Sequence, residues 1–94
     1  MDEVKFEWNG KKSDENERKH GVSFEEAQTV FYDENAVEFF DPDHSEDEDR
    51  FIMLGMCFKL RVPVVCRCFR KNETVIRIIS ARKANKYEAK NYWR

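Results

Sequence analysis

Arg77-Ile78-Ile79-Ser80-Ala81-Arg82-Lys83-Ala84 is an isoleucine-rich apolar run that ends abruptly in Arg-Lys, with a helix-like segment directly after it. A run of this length, rich in β-branched residues, reads as a buried strand. A buried strand that hands its end to fixed cations suits an anion such as a phosphate. Side-chain alternation constrains that idea. Arg77 and Arg82 are five apart, so a regular strand sends them to opposite faces, whereas Ser80 and Arg82 share one. Both arginines can meet one phosphate only if the strand ends or bulges before Arg82. The expected arrangement is a strand that stops near Ala81, with Arg82 and Lys83 turned back across its tip.

Working outward, Thr74 to Ala81 is the last of three strand-like runs, after Arg50 to Lys59 and Val62 to Phe69. The short separators mark hairpins, with Lys71-Asn72 as the tight turn. Pro63 has no amide donor, so it marks a strand start or an edge. Upstream, Val4-Lys5-Phe6-Glu7-Trp8 alternates apolar and polar and reads as a short strand. Ala36 to Phe40 reads as another, ended by Asp41-Pro42-Asp43. Lys11 to His20 is charged almost throughout; it is expected to be a helix with Gly21 as its C′ residue and without an apolar stripe. Ser23-Phe24-Glu25-Glu26 is a capping box that opens a second helix, Phe24 to Tyr32, with Phe24, Ala27, Val30 and Phe31 on one face. Lys83 to Trp93 is expected to close the chain as a helix. The order β-α-α-β-β-β-β-α predicts a single α+β domain over residues 1–94: a small, mostly antiparallel sheet with the helices packed on one face.

Apolar residues make up 40% of the 94-residue chain and charged residues 38%, a globular balance with a heavily charged exterior. The net charge of −2 hides a split between the two parts of the chain. Residues 1–58 carry 17 acidic and 6 basic side chains; residues 59–94 carry 2 acidic and 11 basic ones. The basic part suits a polyanion, although pairing between the two parts on folding would give the same split. A pI near 5.7 counts against tight, unspecific nucleic-acid binding by the whole surface. The three cysteines, Cys57, Cys66 and Cys68, all lie in apolar runs. An odd count without a leader pattern predicts a reducing, cytoplasmic setting. Cys66-Arg67-Cys68 lacks the second pair a zinc site needs, so core packing is its expected role. No apolar run reaches the ~20 residues of a membrane span.

The loop Asp41–Asp49 holds six carboxylates in nine residues. Asp41, Asp43, Ser45 and Asp47 alternate as in a calcium loop, but Glu46 and Ile52 stand where such a loop needs Gly and Glu. His44 lies among these carboxylates as a general acid, a partner surface or a solvated loop residue. His20 ends a helix, either capping carbonyls or serving as a general base. Glu48 and Arg50 are two apart and share a strand face, beside a substrate or as a surface ion pair. Arg67, Arg70, Arg77, Arg82, Lys83, Lys86 and Lys90 interleave with Phe69, Tyr87, Tyr92 and Trp93, a pattern that suits single-stranded RNA. There is no Gly-rich phosphate loop, no His/Cys metal constellation and no nucleophile elbow, so catalysis without metal or cofactor is expected.

Several segments together resemble the BrnT toxin family. They are Phe6-Glu7-Trp8; Asn16 with Lys19-His20-Gly21-Val22-Ser23-Phe24; Ala27 with Val30-Phe31-Asp33; Asp43-His44 with Glu48 and Arg50; Gly55; Arg77 to Ala84; and Glu88 with Tyr92. The resemblance spans nearly the whole chain. It departs at Ala89, where relatives carry a basic residue, at Pro63, and at Lys59-Leu60-Arg61, which replaces a Gly-bearing turn. It implies a RelE-like fold and a toxin of a type II toxin–antitoxin system that cleaves RNA. It also implies neutralisation by a DNA-binding antitoxin, BrnA, in a complex that represses its own operon.

The expected function is therefore a metal-independent endoribonuclease toxin, with a hetero-oligomer formed with the antitoxin. The alternative is an antitoxin-binding module, catalytically weak or inactive, that acts in operon autoregulation. In the enzymatic reading an RNA 2′-hydroxyl attacks the adjacent phosphorus. Arg77 and Arg82 would meet the phosphate's charge, and His20, His44 and Glu48 would carry protons. Tyr92 would stack on a base or donate a proton. Arg50, Arg67, Lys83 and Lys86 would bind RNA.

Overall fold

Among the described residues, strand-forming runs and capped helical segments assemble into one mixed five-stranded sheet with three helices. The computed structural model describes residues 4–46, 48–70 and 72–93. The elements are β1 (Lys5–Glu7), α1 (Gly10–His20), α2 (Phe24–Thr29), β2 (Val37–Phe40), β3 (Arg50–Leu54), β4 (Pro63–Arg70), β5 (Val75–Lys83) and α3 (Lys86–Tyr92). Short 3₁₀ turns, Val30–Tyr32 and Pro42–His44, follow α2 and β2. The spatial order is β1-β5-β4-β3-β2, with β1 parallel to β5 and the other pairs antiparallel. Two of the singled-out positions, Asp47 and Lys71, lie outside the described residues. Next to the latter, Asn72 and Glu73 turn the chain with φ of 56° and 68°.

The core lies between α1, α2 and one face of the sheet. Val22, Phe24, Ala27 and Val30 pack there on Met53, Cys57, Val65, Ile78 and Ala81, with Phe6, Trp8 and Phe31 against them. α3 does not join this layer, contrary to the expectation that all helices share one face. Its Glu88 and Asn91 line a small pocket with Phe39, Ile52, Leu54 and Val64. Those four alternate with the core residues Met53 and Val65 and so face the other way. α3 has no buried residue, so it had no apolar stripe to bury beside α2.

β5 does not stop near Ala81. It pairs with β4 as far as Lys83, opposite Pro63, which starts β4. What breaks its alternation is a bulge: Arg67 opposes Ile78 while the preceding Cys66 opposes Ser80, so Ile79 is an extra residue. The bulge reverses the parity of everything after it. Ile78 and Ala81 both face the core, and Arg77, Ser80 and Arg82 all face away from it.

β3 ends at Leu54, five residues short of the expected Lys59, because the next amides find partners outside the ladder. Met56 N–H donates to Asp33 Oδ2 (2.7 Å) and Phe58 N–H to Thr29 Oγ1 (3.0 Å). Gly55 passes so close to the end of α2 that an added Cβ would lie 2.6 Å from Val30 Cγ1.

α1 is capped as its sequence requires, by Asn9 at one end and by Gly21, at φ 74°, at the other. Its two buried residues are polar, Ser13 and Asn16. β1 covers the edge of β5 only as far as Arg77, so the backbone beyond is left to α1. Asn16 fills the gap: its Nδ2 donates to the carbonyls of Val22 and Ala81 (2.7 Å each), and its Oδ1 accepts the Ala81 amide (3.3 Å). Asn16→Ala would orphan three buried backbone groups. It is expected to cost roughly 2–4 kcal/mol, read as a fall in the urea midpoint at unchanged m.

The capping box of α2 is only half made. Ser23 Oγ accepts the Glu26 amide (3.1 Å), but the Glu26 side chain turns inward, fully buried, to Arg61.

Candidate active site

The face of the sheet turned away from α1 and α2 carries an open cleft of about 320 Å³. Its floor is Ile52 from β3 with Val64 and Cys66 from β4. One wall is the end of β5, with Ile79, Ser80, Ala81 and Arg82; the other is the connection from β2 into β3, with Asp41, His44 and Arg50. His20 also lines it, brought round the open edge of β5 by α1. Asn16 explains how: one turn before His20, it clamps α1 to Ala81. Both histidines of the chain thus meet at one cleft, although 24 residues separate them.

The geometry of His44 is specific. Its Nδ1 lies 2.9 Å from Asp41 Oδ2. An ionised carboxylate can only accept, so Nδ1 carries a hydrogen, and in the neutral ring the lone pair is then on Nε2. Asp41 is itself buried, and the turn around it is tied down. Ser45 Oγ donates to the Asp41 carbonyl, Ser45 Oγ accepts the Arg50 amide (2.9 Å), and the Asp41 amide donates to the Arg50 carbonyl (2.9 Å). The sequence marks Asp41 as a strand-ending turn residue and as one of the six loop carboxylates.

The two cleft arginines differ. Arg82 is paired with Glu88, Nη1 to Oε1 at 2.7 Å and Nη2 to Oε2 at 2.6 Å. That pairing raises Arg82 above its ordinary value and holds Glu88 down to about 2. The half-buried Arg50 has no carboxylate partner among the described residues, and its Nε is buried with no hydrogen-bond acceptor. Arg67, on the core side, also holds unmet donors at Nε and Nη1; what distinguishes Arg50 is its place in a cleft with two imidazoles. Burial pushes the Cys66 thiol up, against the pull of Arg50, so it serves as neutral floor.

The other expected site residues lie elsewhere. Arg77 shares the cleft's face through the bulge but does not line the cleft, and its Nη1 donates to Glu7 Oε2 (2.7 Å). Glu48 adjoins the cleft, in a shallow depression with Asp43, His44, Glu46 and Arg50, and approaches Arg70 at 3.8 Å. Tyr92 is bound away from the cleft: its hydroxyl donates to Asp33 Oδ2 (2.6 Å), which raises the phenol above its ordinary value. Arg67 is 5% exposed on the core side of the sheet. Its guanidinium lies 4.5 Å from the centroid of Phe69 and 4.6 Å from that of Phe51, and it pairs with Glu38. Lys83 alternates to the core side beside Gly21, and Lys86 is exposed on the first turn of α3. The structure therefore brings together His20, His44, Arg50 and Arg82, adds Asp41 and Ser80, and leaves Arg67, Arg77 and Tyr92 out.

Among the described residues no group of three or more His, Cys, Asp or Glu is placed to hold a metal ion, and no helix is long and apolar enough to cross a membrane. No curated protein matches the chain. In fold it is similar to the crystal structure of the Brucella abortus ribonuclease toxin BrnT, with a TM-score of 0.67 and 21% identity over 89% of this chain and 100% of that one. A family model, the ribonuclease toxin BrnT of type II toxin–antitoxin systems, matches residues 8–88. With the match running from Trp8 on β1's flank to Glu88 on α3, the chain belongs to the BrnT family of ribonuclease toxins.

Proposed function

We propose that this protein is an active, metal-independent endoribonuclease toxin that cleaves RNA in the cytoplasm at the His20–His44 cleft. The observation that carries the reading is Arg50, a cation with an unmet buried donor in a cleft that also holds both imidazoles. An RNA phosphate in the cleft would meet the charge of the Arg50 guanidinium. His44, with Nε2 as acceptor, takes the proton of the 2′-hydroxyl as its oxygen attacks phosphorus, and Asp41 stabilises the imidazolium that forms. The bond from phosphorus to the 5′-oxygen breaks, and His20 returns a proton to that oxygen. Arg50 and Arg82 meet the charge that builds on the phosphoryl oxygens. The products are a 2′,3′-cyclic phosphate and a 5′-hydroxyl. Family membership supports neutralisation by a BrnA-like DNA-binding antitoxin, in an assembly that acts on its own operon.

The test is incubation of RNA with the protein in excess chelator, with the product ends analysed. Wild type is expected to leave cyclic phosphate ends, and His44→Ala to be about a hundredfold or more slower. Loss of cleavage in chelator, or an unaffected His44→Ala, would overturn the mechanism. Induction that leaves bacterial growth unharmed would instead favour the inactive antitoxin-binding module.

A further inference from the structure

Arg82 enters the cleft already gripped. Its two Nη groups meet the two Glu88 oxygens fork to fork, at 2.7 and 2.6 Å. Such a bidentate pair fixes the plane of the guanidinium as well as its position. Glu88 does not line the cleft; it lies in the adjoining pocket with Phe39, Leu54 and Val64. Its carboxylate therefore holds the guanidinium from behind. Glu88 is held in turn: its Oε1 accepts the Asn85 amide (3.0 Å), and its own amide donates to Asn85 Oδ1 (2.8 Å). Asn85, Glu88 and Arg82 form a chain of support that runs from the start of α3 to the cleft wall.

We propose that Glu88 is a positioning residue, which holds Arg82 so that its remaining N–H donors meet the scissile phosphate. The assignment rests on the ribonuclease reading and extends it to α3, a helix that buries no residue of its own. The Arg82 side chain is 47% exposed, and without Glu88 it would sample many rotamers. Capturing it at each turnover would cost side-chain entropy that Glu88 removes in advance. The grip persists at working pH, because the Arg82 hydrogen bonds keep Glu88 ionised down to about 2. A carboxylate seated in the cleft would have pointed to competition with phosphate; one seated behind the arginine points to support.

A double-mutant cycle tests this. Single-turnover cleavage is measured for wild type, Glu88→Ala, Arg82→Ala and the double variant. Glu88→Ala is expected to lower kcat about ten- to hundredfold, with KM moved less than about twofold. In the Arg82→Ala background the same change is expected to cost nothing further. Glu88→Gln keeps one oxygen, which can still accept from Asn85 and from Arg82 Nη1, but turns an N–H donor toward Arg82 Nη2 in place of the second oxygen, and is expected to recover only part of the rate. An equal loss in both backgrounds, or faster cleavage by Glu88→Ala, would overturn the proposal. The same cycle is read in the affinity for a 2′-O-methyl RNA oligonucleotide, which cannot be cleaved. If wild type binds it but cleaves no RNA, the ribonuclease reading fails and the binding cycle decides the role of Glu88. There, losses that are not additive support positioning, and additive ones overturn it. A wild type that neither binds nor cleaves overturns both.

Discussion

Arg50→Met is expected to slow RNA cleavage by about a hundred- to thousandfold while leaving the fold as stable as before, or more so. The two halves of that expectation have one cause. Arg50 holds a buried Nε without an acceptor, a cost that the folded protein carries with no compensation visible in the chain. Methionine has similar reach and no polar atom, so the substitution removes the cost. The backbone bonds that Arg50 makes to Asp41 and Ser45 do not depend on its side chain. A residue whose removal relieves strain and destroys activity is held for function. Single-turnover rates and a thermal melt on the same preparation check both halves. Arg77→Ala provides the contrast: its ion pair with Glu7 joins two part-exposed side chains outside the cleft, and cleavage is expected to stay within about threefold of wild type. Equal losses in the two variants would move the phosphate along the sheet toward β1. A lower melting temperature for Arg50→Met would mean that its side chain is structural, as that of Arg67 is, with its charge taken up by Glu38 and by the faces of Phe51 and Phe69.

The strand runs, the C-terminal cap of α1 and the start of β4 were legible because each rests on local chemistry: β-branched runs, Gly21 and Pro63. The site was legible by residue type and not by assembly. His20, His44, Arg50 and Arg82 stood out as candidates, but their convergence depends on two features with no local signature. One is the bulge at Ile79, which uses no glycine and so cannot be told from regular strand. It turns Arg77 and Arg82 to the same face, yet Glu7, placed opposite by the parallel β1, holds Arg77 away from the cleft. The other is the docking of α1. A helix that buries Ser13 and Asn16 shows no apolar stripe, so periodicity is silent about where it packs. Ser13 joins it to α2, with Oγ accepting the Phe24 amide (3.0 Å), and Asn16 joins it to β5. The inward turn of Glu26 was hidden in the same way, because a capping box predicts an outward, local partner for that side chain.

Glu26 carries the largest expected effect on stability, through its partner. Arg61 grips it with Nε on Oε2 and Nη2 on Oε1, both at 2.6 Å, and the Cys57 thiol donates to Oε2 at 2.9 Å. The carboxylate is fully buried, while 28% of the Arg61 side chain remains exposed. The pair is therefore asymmetric. Glu26→Gln leaves a guanidinium that water can still reach, and its cost should be modest. Arg61→Ala leaves a buried carboxylate with only the thiol and Lys59, 3.7 Å away, and is expected to cost about 3–5 kcal/mol. Acidity separates this charge effect from lost packing. Burial alone would raise Glu26, but the hydrogen bonds from Arg61 and Cys57 outweigh it and hold the carboxyl below its ordinary 4.5. A depressed carboxyl contributes stability that is present above its unfolded value and lost as pH falls through the folded one. Without Arg61 burial prevails, and protonation of Glu26 then favours the folded variant. The gap between wild type and Arg61→Ala should accordingly be widest near neutrality and shrink as pH falls, first above 4.5, as the raised carboxyl of the variant protonates, and then below it, as the depressed one of wild type does. Urea unfolding at a series of pH values measures it, and a gap that stays constant with pH would show that the lost arginine acted through packing alone.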